Sequence, residues 1–259
     1  MILQRHLPYD PAERPRLPGI QPLSEPWIVT DDAFAEQMAE RARLIETDRD
    51  AVLAERPGAR PAVLEALEAI VAALPDGYKV AADHVVRPDD NAVALDRDDP
   101  LATLGRLVQE DVCVLERGED AAEHVLTAAM LCFPARWRLS EKIGHPLTTI
   151  HDPVPDYDGN IARRVQRLFD GIGVGRPLWR CNELWTADPT LYQPDPPATR
   201  PKWSREAPDY LRTERQCLVR LPQTRAVVFT IHTYMLERAD VPGVRERPEE
   251  APAGTLRPD

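Results

Sequence analysis

Residues Tyr210 to Met235 read YLRTERQCLVRLPQTRAVVFTIHTYM. Residues 210–221 and 226–235 are dense in β-branched and aromatic side chains, and Pro222-Gln-Thr-Arg225 interrupts them. The pattern predicts two antiparallel strands paired as a hairpin. Alternation along the second strand sets Val228, Thr230, His232 and Tyr234 on one face, opposite Phe229 and Ile231. On the first strand Arg212, Glu214, Gln216 and Arg220 share one face, and Arg215, Cys217, Val219 and Leu221 the other. A cluster of Glu214, Arg215 or Gln216 beside His232 would be polar enough to orient a small charged substrate; a solvated sheet face fits the same letters.

Working outward, shorter strands are expected at 78–86, 92–96, 111–116, 124–133 and 177–186. A helix starts at Thr30-Asp31-Asp32, where a hydroxyl and acids suit a first turn, and runs to about residue 54 on Phe34, Met38, Ala42, Ile45 and Val52. Pro57-Gly58 stops it. A second opens at Pro61 with Val63, Leu67, Ile70, Val71 and Leu74 on one face, so the two read as a helical hairpin. A short helix follows Asp98-Asp99-Pro100. Another, over 161–172, buries Ile161, Val165, Leu168, Phe169 and Ile172 and shows Arg163, Arg164 and Arg167 outward. The sum is an α+β protein: an antiparallel sheet of five or six strands, flanking helices and an N-terminal helical hairpin. The expected division is an extended arm over 1–29 that docks late in the sequence, one domain over 30–236 and a flexible tail over 237–259.

The 259 residues suffice for one large domain, and an apolar fraction of 43% supports a real core. A net charge of −11 argues against nonspecific nucleic-acid binding, which needs a basic footprint. No apolar run reaches the ~18 residues of a membrane span. The start, Met-Ile-Leu-Gln-Arg-His-Leu-Pro, lacks a signal-peptide pattern, so a cytoplasmic location is expected. Cys113, Cys132, Cys181 and Cys217 stand far apart with no Cys-x-x-Cys pair, which speaks against an iron–sulfur cluster or a four-cysteine zinc site.

The chemistry-bearing side chains gather at Leu131 to Tyr157, which holds Arg136, Trp137, Arg138, Lys142, His145, His151 and Asp152 among several prolines. His145 follows Gly144 at an expected helix end, where an imidazolium is favoured. His151 precedes Asp152 and Pro-Val-Pro155, a stiff backbone that suits a metal ligand. His145, His151 and Asp152 are zinc-ligand types, but their spacing matches no metalloprotease helix signature. His6, His84 and His124 read as surface histidines. There is no Gly-x-Ser-x-Gly elbow, P-loop or dinucleotide fingerprint; Gly171-Ile-Gly-Val-Gly175 follows a helix instead of opening one.

Six segments in order resemble the heme-dependent oxidative N-demethylase alpha-subunit-like family, formerly a domain of unknown function. They are Cys132-Phe-Pro-Ala-Arg-Trp-Arg-Leu139, Glu141-Lys-Ile-Gly144, Ile150-His-Asp-Pro-Val-Pro155, Trp179-Arg-Cys-Asn182, Glu214-Arg-Gln216 and Phe229-Thr-Ile-His-Thr-Tyr234. The resemblance implies a PAS-like fold holding heme b. It implies O2-dependent removal of a methyl group from a small secondary amine such as dimethylamine, releasing formaldehyde. It makes His151 the iron ligand, with Trp137, His145, Arg215 and Tyr234 around the cofactor. Arg136, Arg138, Lys142, Arg163 and Arg167 would pair with its propionates. Glu214, Asp152 and His232 become the candidate catalytic groups, a carboxylate holding the cationic amine by charge. The chain departs from the family pattern at Glu183-Leu184, which precede Trp185, and at His232, where the pattern has arginine. With no flavin fingerprint or cysteine cluster, the electrons would come from a separate reductase subunit or electron-transfer partner. A PAS-like heme sensor or ligand-binding protein without catalysis is the alternative.

Overall fold

The structure is a computed structural model that describes residues 1–11, 19–118, 120–151, 159–195 and 209–242. Its strands in chain order are β1 (Gln21–Pro22), β2 (Leu53–Glu55), β3 (Lys79–Val80), β4 (His84–Val86), β5 (Ala92–Ala94), β6 (Asp111–Glu116), β7 (Val125–Met130), β8 (Leu178–Cys181), β9 (Leu184–Thr186), β10 (Tyr210–Arg220) and β11 (Val227–Glu237). Its helices are α1 (Phe34–Thr47), α2 (Arg49–Val52), α3 (Arg60–Ala72), α4 (Pro100–Leu107), α5 (Leu139–Lys142), α6 (Leu147–His151) and α7 (Gly159–Gly171). The protein is therefore mixed α+β, built on a large antiparallel sheet.

The expected hairpin is the centre of that sheet. β10 and β11 pair from Tyr210↔Glu237 to Arg220↔Val227. The strand order is β1-β8-β10-β11-β6-β7-β2, with β9 also on β10. Both faces are covered. α1, α3 and α4 pack on the face of Val112, Val114, Met130 and Val228, here the lobe face. α5, α6 and α7 lie over the face of Cys113, Leu115, Ala129, Leu218 and Ile231, here the second face. α4 sits so close to its neighbours that a Cβ on Gly105 would lie 2.6 Å from Ile45 Cδ1 and 3.1 Å from Met130 Cγ.

Three expectations need correction. The first helix ends at Thr47, and after α2 the chain turns extended at Leu53 to pair with Met130 of β7. An unpaired edge on β7 outweighs the helical period there, because each paired residue satisfies otherwise orphaned backbone groups. The helical hairpin is thereby interrupted; α1 and α3 have α4 as their main helical neighbour. Second, the expected strand at 177–186 breaks into β8 and β9 at Asn182, whose side-chain oxygen accepts from Glu214 N at 2.8 Å while its amide donates to Glu214 Oε2 at 2.8 Å. Third, residues 79–94 make a separate three-stranded sheet, β3-β4-β5. The described parts of the 1–29 segment dock on the sheet, partly late in the chain. β1 pairs with β8, Ile28 is fully buried, and Gln4 lies along β11. Gln4 N donates to Met235 O at 2.9 Å and Gln4 Oε1 accepts from Met235 N at 2.8 Å, which closes the part of β11 that β6 does not reach.

Candidate functional site

The sheet divides the residues that the sequence groups together. Register sets Arg215 opposite His232 and Thr213 opposite Tyr234, all on the lobe face. Glu214 pairs with Thr233 and Gln216 with Ile231, on the second face. Glu214 and His232 therefore cannot line one site. Nor can Arg215 and Tyr234 share one with Trp137, which packs against the second face.

His232 is sealed. Its side chain is 1% exposed, with Nδ1 3.1 Å from Glu110 Oε1 and Nε2 2.9 Å from Asp31 Oδ2. Two carboxylates can be satisfied together only by an imidazolium donating from both nitrogens. Burial opposes that charge, but the bonds to Asp31 and Glu110 outweigh it and hold the His232 pKa up at about 9. Burial likewise works to raise the Asp31 carboxyl, yet His232, Gln109 and Gln4 keep it below the usual carboxylate range. Arg215, directly opposite, donates to Pro26 O at 2.7 Å and so ties β10 to the segment that carries Asp31. The Tyr234 ring lies 4.6 Å from the imidazole and meets Tyr9 edge-on. Burial pushes both phenols well above their ordinary pKa. The cluster joins the residue 28–31 segment, the end of α4 and the arm to β11. Among the described residues it is an ion network closed off from solvent.

The second face is different. β11 is internal to the sheet, yet Phe229 is only half-buried, as are Leu178 on β8 and Gln216 on β10. Trp137, Ile143 and Ile150 and, on α7, Val165 and Leu168 flank this strip and are half-buried too. Glu214 is held on the same face. Its Oε2 accepts from Asn182 Nδ2 at 2.8 Å and Gln216 Nε2 at 2.9 Å, and Arg212 approaches Oε1 at 3.5 Å. Arg136 adopts φ 64°, a left-handed backbone fixed by Arg136 N donating to Gln193 O at 2.7 Å. Among the described residues its guanidinium has no partner.

The remaining candidates scatter. Lys142 Nζ donates to Ile150 O at 2.7 Å and so caps α6. His145 is exposed. Arg138 pairs with Asp195. Arg163, Arg164 and Arg167 are exposed on α7. The backbone of His151 ends α6, whose Leu147 and Ile150 pack against the second face. Asp152 and Tyr157 lie outside the described residues. His124, expected at the surface, is buried at 2% exposure, because it opens β7 under α7 and stacks against Phe169 at 5.2 Å. Among the described residues no three His, Cys, Asp or Glu side chains converge to hold a bare metal ion. Sequence reasoning missed Asp31, Glu110 and Asn182. Asp31 read as a helix-start acid, and it does accept from Ala33 N at 2.9 Å through Oδ1. Nothing in the letters reveals that Oδ2 reaches a strand 201 residues away.

Compared with known proteins, residues 19–252 match the protein-family model described as "Haem-dependent oxidative N-demethylase, alpha subunit-like". Among the described residues no helix is long and apolar enough to cross a membrane. The match takes in the whole sheet, both helical layers and each of the six motif segments, and on that extent the chain belongs to the haem-dependent oxidative N-demethylase alpha-subunit-like family.

Proposed function

We propose that the protein is the heme-binding subunit of an O2-dependent N-demethylase, and that its cofactor, heme b, seats on the second face of a PAS-like sheet under α5, α6 and α7. The carrying observation is the half-exposed apolar strip on strands that are internal to the sheet. Internal strands of a packed domain normally bury such residues. A flat macrocycle would cover Phe229, Leu178 and Trp137 and complete the core. The donor set fits as well: a porphyrin supplies four ligands itself and needs one imidazole, and an unpartnered Arg136 at the rim suits a propionate. His151, at the end of a helix packed on this strip and within the Ile150–Pro155 motif, is the proposed iron ligand.

When bound, the heme would supply the oxidising chemistry that turns an N-methyl group into formaldehyde. The chain's own contribution is binding and exclusion. Glu214 is fixed by Asn182 and Gln216 and carries the negative charge that a protonated secondary amine of the dimethylamine type seeks. α5, α6 and α7 keep bulk water from the strip. His232, Arg215 and Tyr234 act from the opposite face by holding β10 and β11 in register. The family description names an alpha subunit, so further subunits belong to the enzyme; a reductase among them would deliver the electrons. The four free, buried cysteines suit a reducing cytoplasm.

Hemin titration of the purified chain tests this reading. A Soret band should appear, and it should shift or vanish in His151→Ala while the far-UV circular dichroism stays unchanged. With dimethylamine, O2 and an artificial reductant, formaldehyde should form, and Glu214→Gln should raise KM more than it lowers kcat. A folded protein that takes up no hemin would refute the reading.

A further inference from the structure

A polar cavity of about 340 Å3 opens between the tip of the β10–β11 hairpin, the start of β7 and the end of α7. Glu116, Arg117, His124, Asp170, Arg220 and Arg225 line it. Arg220 is 6% exposed, and every hydrogen-bond partner it has is neutral; the Asp170 carboxylate acts on it only by charge, without a direct bond. Arg220 donates to Ile172 O, Phe169 O and Arg225 O and approaches His124 Nε2 at 3.5 Å. Buried charges are ordinarily matched by a counter-charge. The nearby carboxylates are already engaged: Asp170 by Arg117 and Gln166, and Glu116 by the Thr127 hydroxyl. Among the described residues that line the cavity, three guanidiniums against two carboxylates leave one positive charge over.

Arg225 adds an independent sign. It sits at φ 63°, a left-handed conformation that costs a side-chain-bearing residue about 1–2 kcal/mol over glycine. Among the described residues its guanidinium has no partner, although its carbonyl is bound to Arg220. A strained arginine with an idle head group beside a buried one that no carboxylate bonds directly is an arrangement that a negative ligand would complete. Burial first, then Arg225 and Arg117, hold the Arg220 pKa below its ordinary value against the opposing pull of Asp170.

We infer that this cavity is a binding site for a small oxyanion, a carboxylate or phosphate group held by Arg225 and Arg220, with His124 as a neutral wall. The site is distinct from the apolar strip and does not depend on the heme reading. A bound anion would tie the hairpin tip to the last turn of α7, because Arg220 holds Phe169 O and Ile172 O.

Thermal unfolding of the full chain, at constant ionic strength with chloride as the balancing ion, tests it in separate titrations with inorganic phosphate and acetate. The expected result is saturable stabilisation by at least one of the two, and the responding arm names the class. In Arg225→Gln the midpoint concentration should rise about tenfold or more, the loss of one charge-assisted contact. Arg225→Gly should lose the response equally while keeping or raising the anion-free Tm, since glycine accepts the left-handed backbone. No saturable stabilisation, or an equal response in wild type and both variants, would overturn the site.

Discussion

Two carboxylates converge on one imidazole at His232, and that convergence sets how the protein responds to pH. The His232 pKa is raised to about 9 from an ordinary 6.5, so its contribution to stability is complete below about pH 6.5. It declines as pH rises through about 9. The shift is worth on the order of 3 kcal/mol. Asp31 carries the opposite sign: its lowered pKa contributes above the ordinary carboxylate range and is lost on acidification. Urea unfolding from pH 5 to 10 should therefore show stability falling between about 6.5 and 9, and the fall should vanish in a His232 variant. His232→Ala leaves two carboxylates buried without their cation and should lose about 3–5 kcal/mol. Because His232 lies across the sheet from the apolar strip, the folded fraction of that variant should keep the wild-type Soret band. The alternation of faces along β10 and along β11 was legible in the letters, and so was the choice of His232 as unusual; which faces meet across the pair was not. Its partners were not, because Asp31 and Glu110 arrive from loops whose path no period encodes.

At the scale of elements, α4 shows how a weak local signal becomes a strong constraint. Asp98-Asp99-Pro100 marks its start, and its apolar residues recur at helical spacing. Gly105 lies inside the helix, where glycine is unfavourable by about 1 kcal/mol relative to alanine. The reason is contact: Ile45 of α1 and Met130 of β7 leave no room for a Cβ. Gly105→Ala should thus destabilise by about 1–3 kcal/mol despite its better helix propensity, as overpacking outweighs the entropic gain. Thermal denaturation checks the sign, and stabilisation would show that α4 has slack. The boundary at Leu53 was illegible for a related reason. Residues 49–55 carry helical letters, but the edge of β7 claims three of them.

Across the whole molecule, the two sheet faces differ in completeness. The lobe face is packed by α1, α3 and α4 around the larger buried cluster, whereas on the second face partly buried apolar side chains make up a greater share of a smaller cluster under α5, α6 and α7. Stability should follow that division. Hemin, by binding only the folded state, should raise Tm with concentration. It should slow amide exchange in α5, α6 and α7 far more than in β10 and β11. Equal slowing throughout would place the cofactor elsewhere.

The sequence alone determined the central antiparallel hairpin, the alternation of its faces, the α+β class and the family, because these rest on local period and on contiguous motifs. Tertiary structure alone decided that Glu214 and His232 face opposite ways in space, with His232 closed inside a carboxylate clamp. It also decided that the first segment of the chain completes the last strand. Such facts depend on residues far apart in the chain, and on which backbone groups and charges would remain unsatisfied if those residues did not meet.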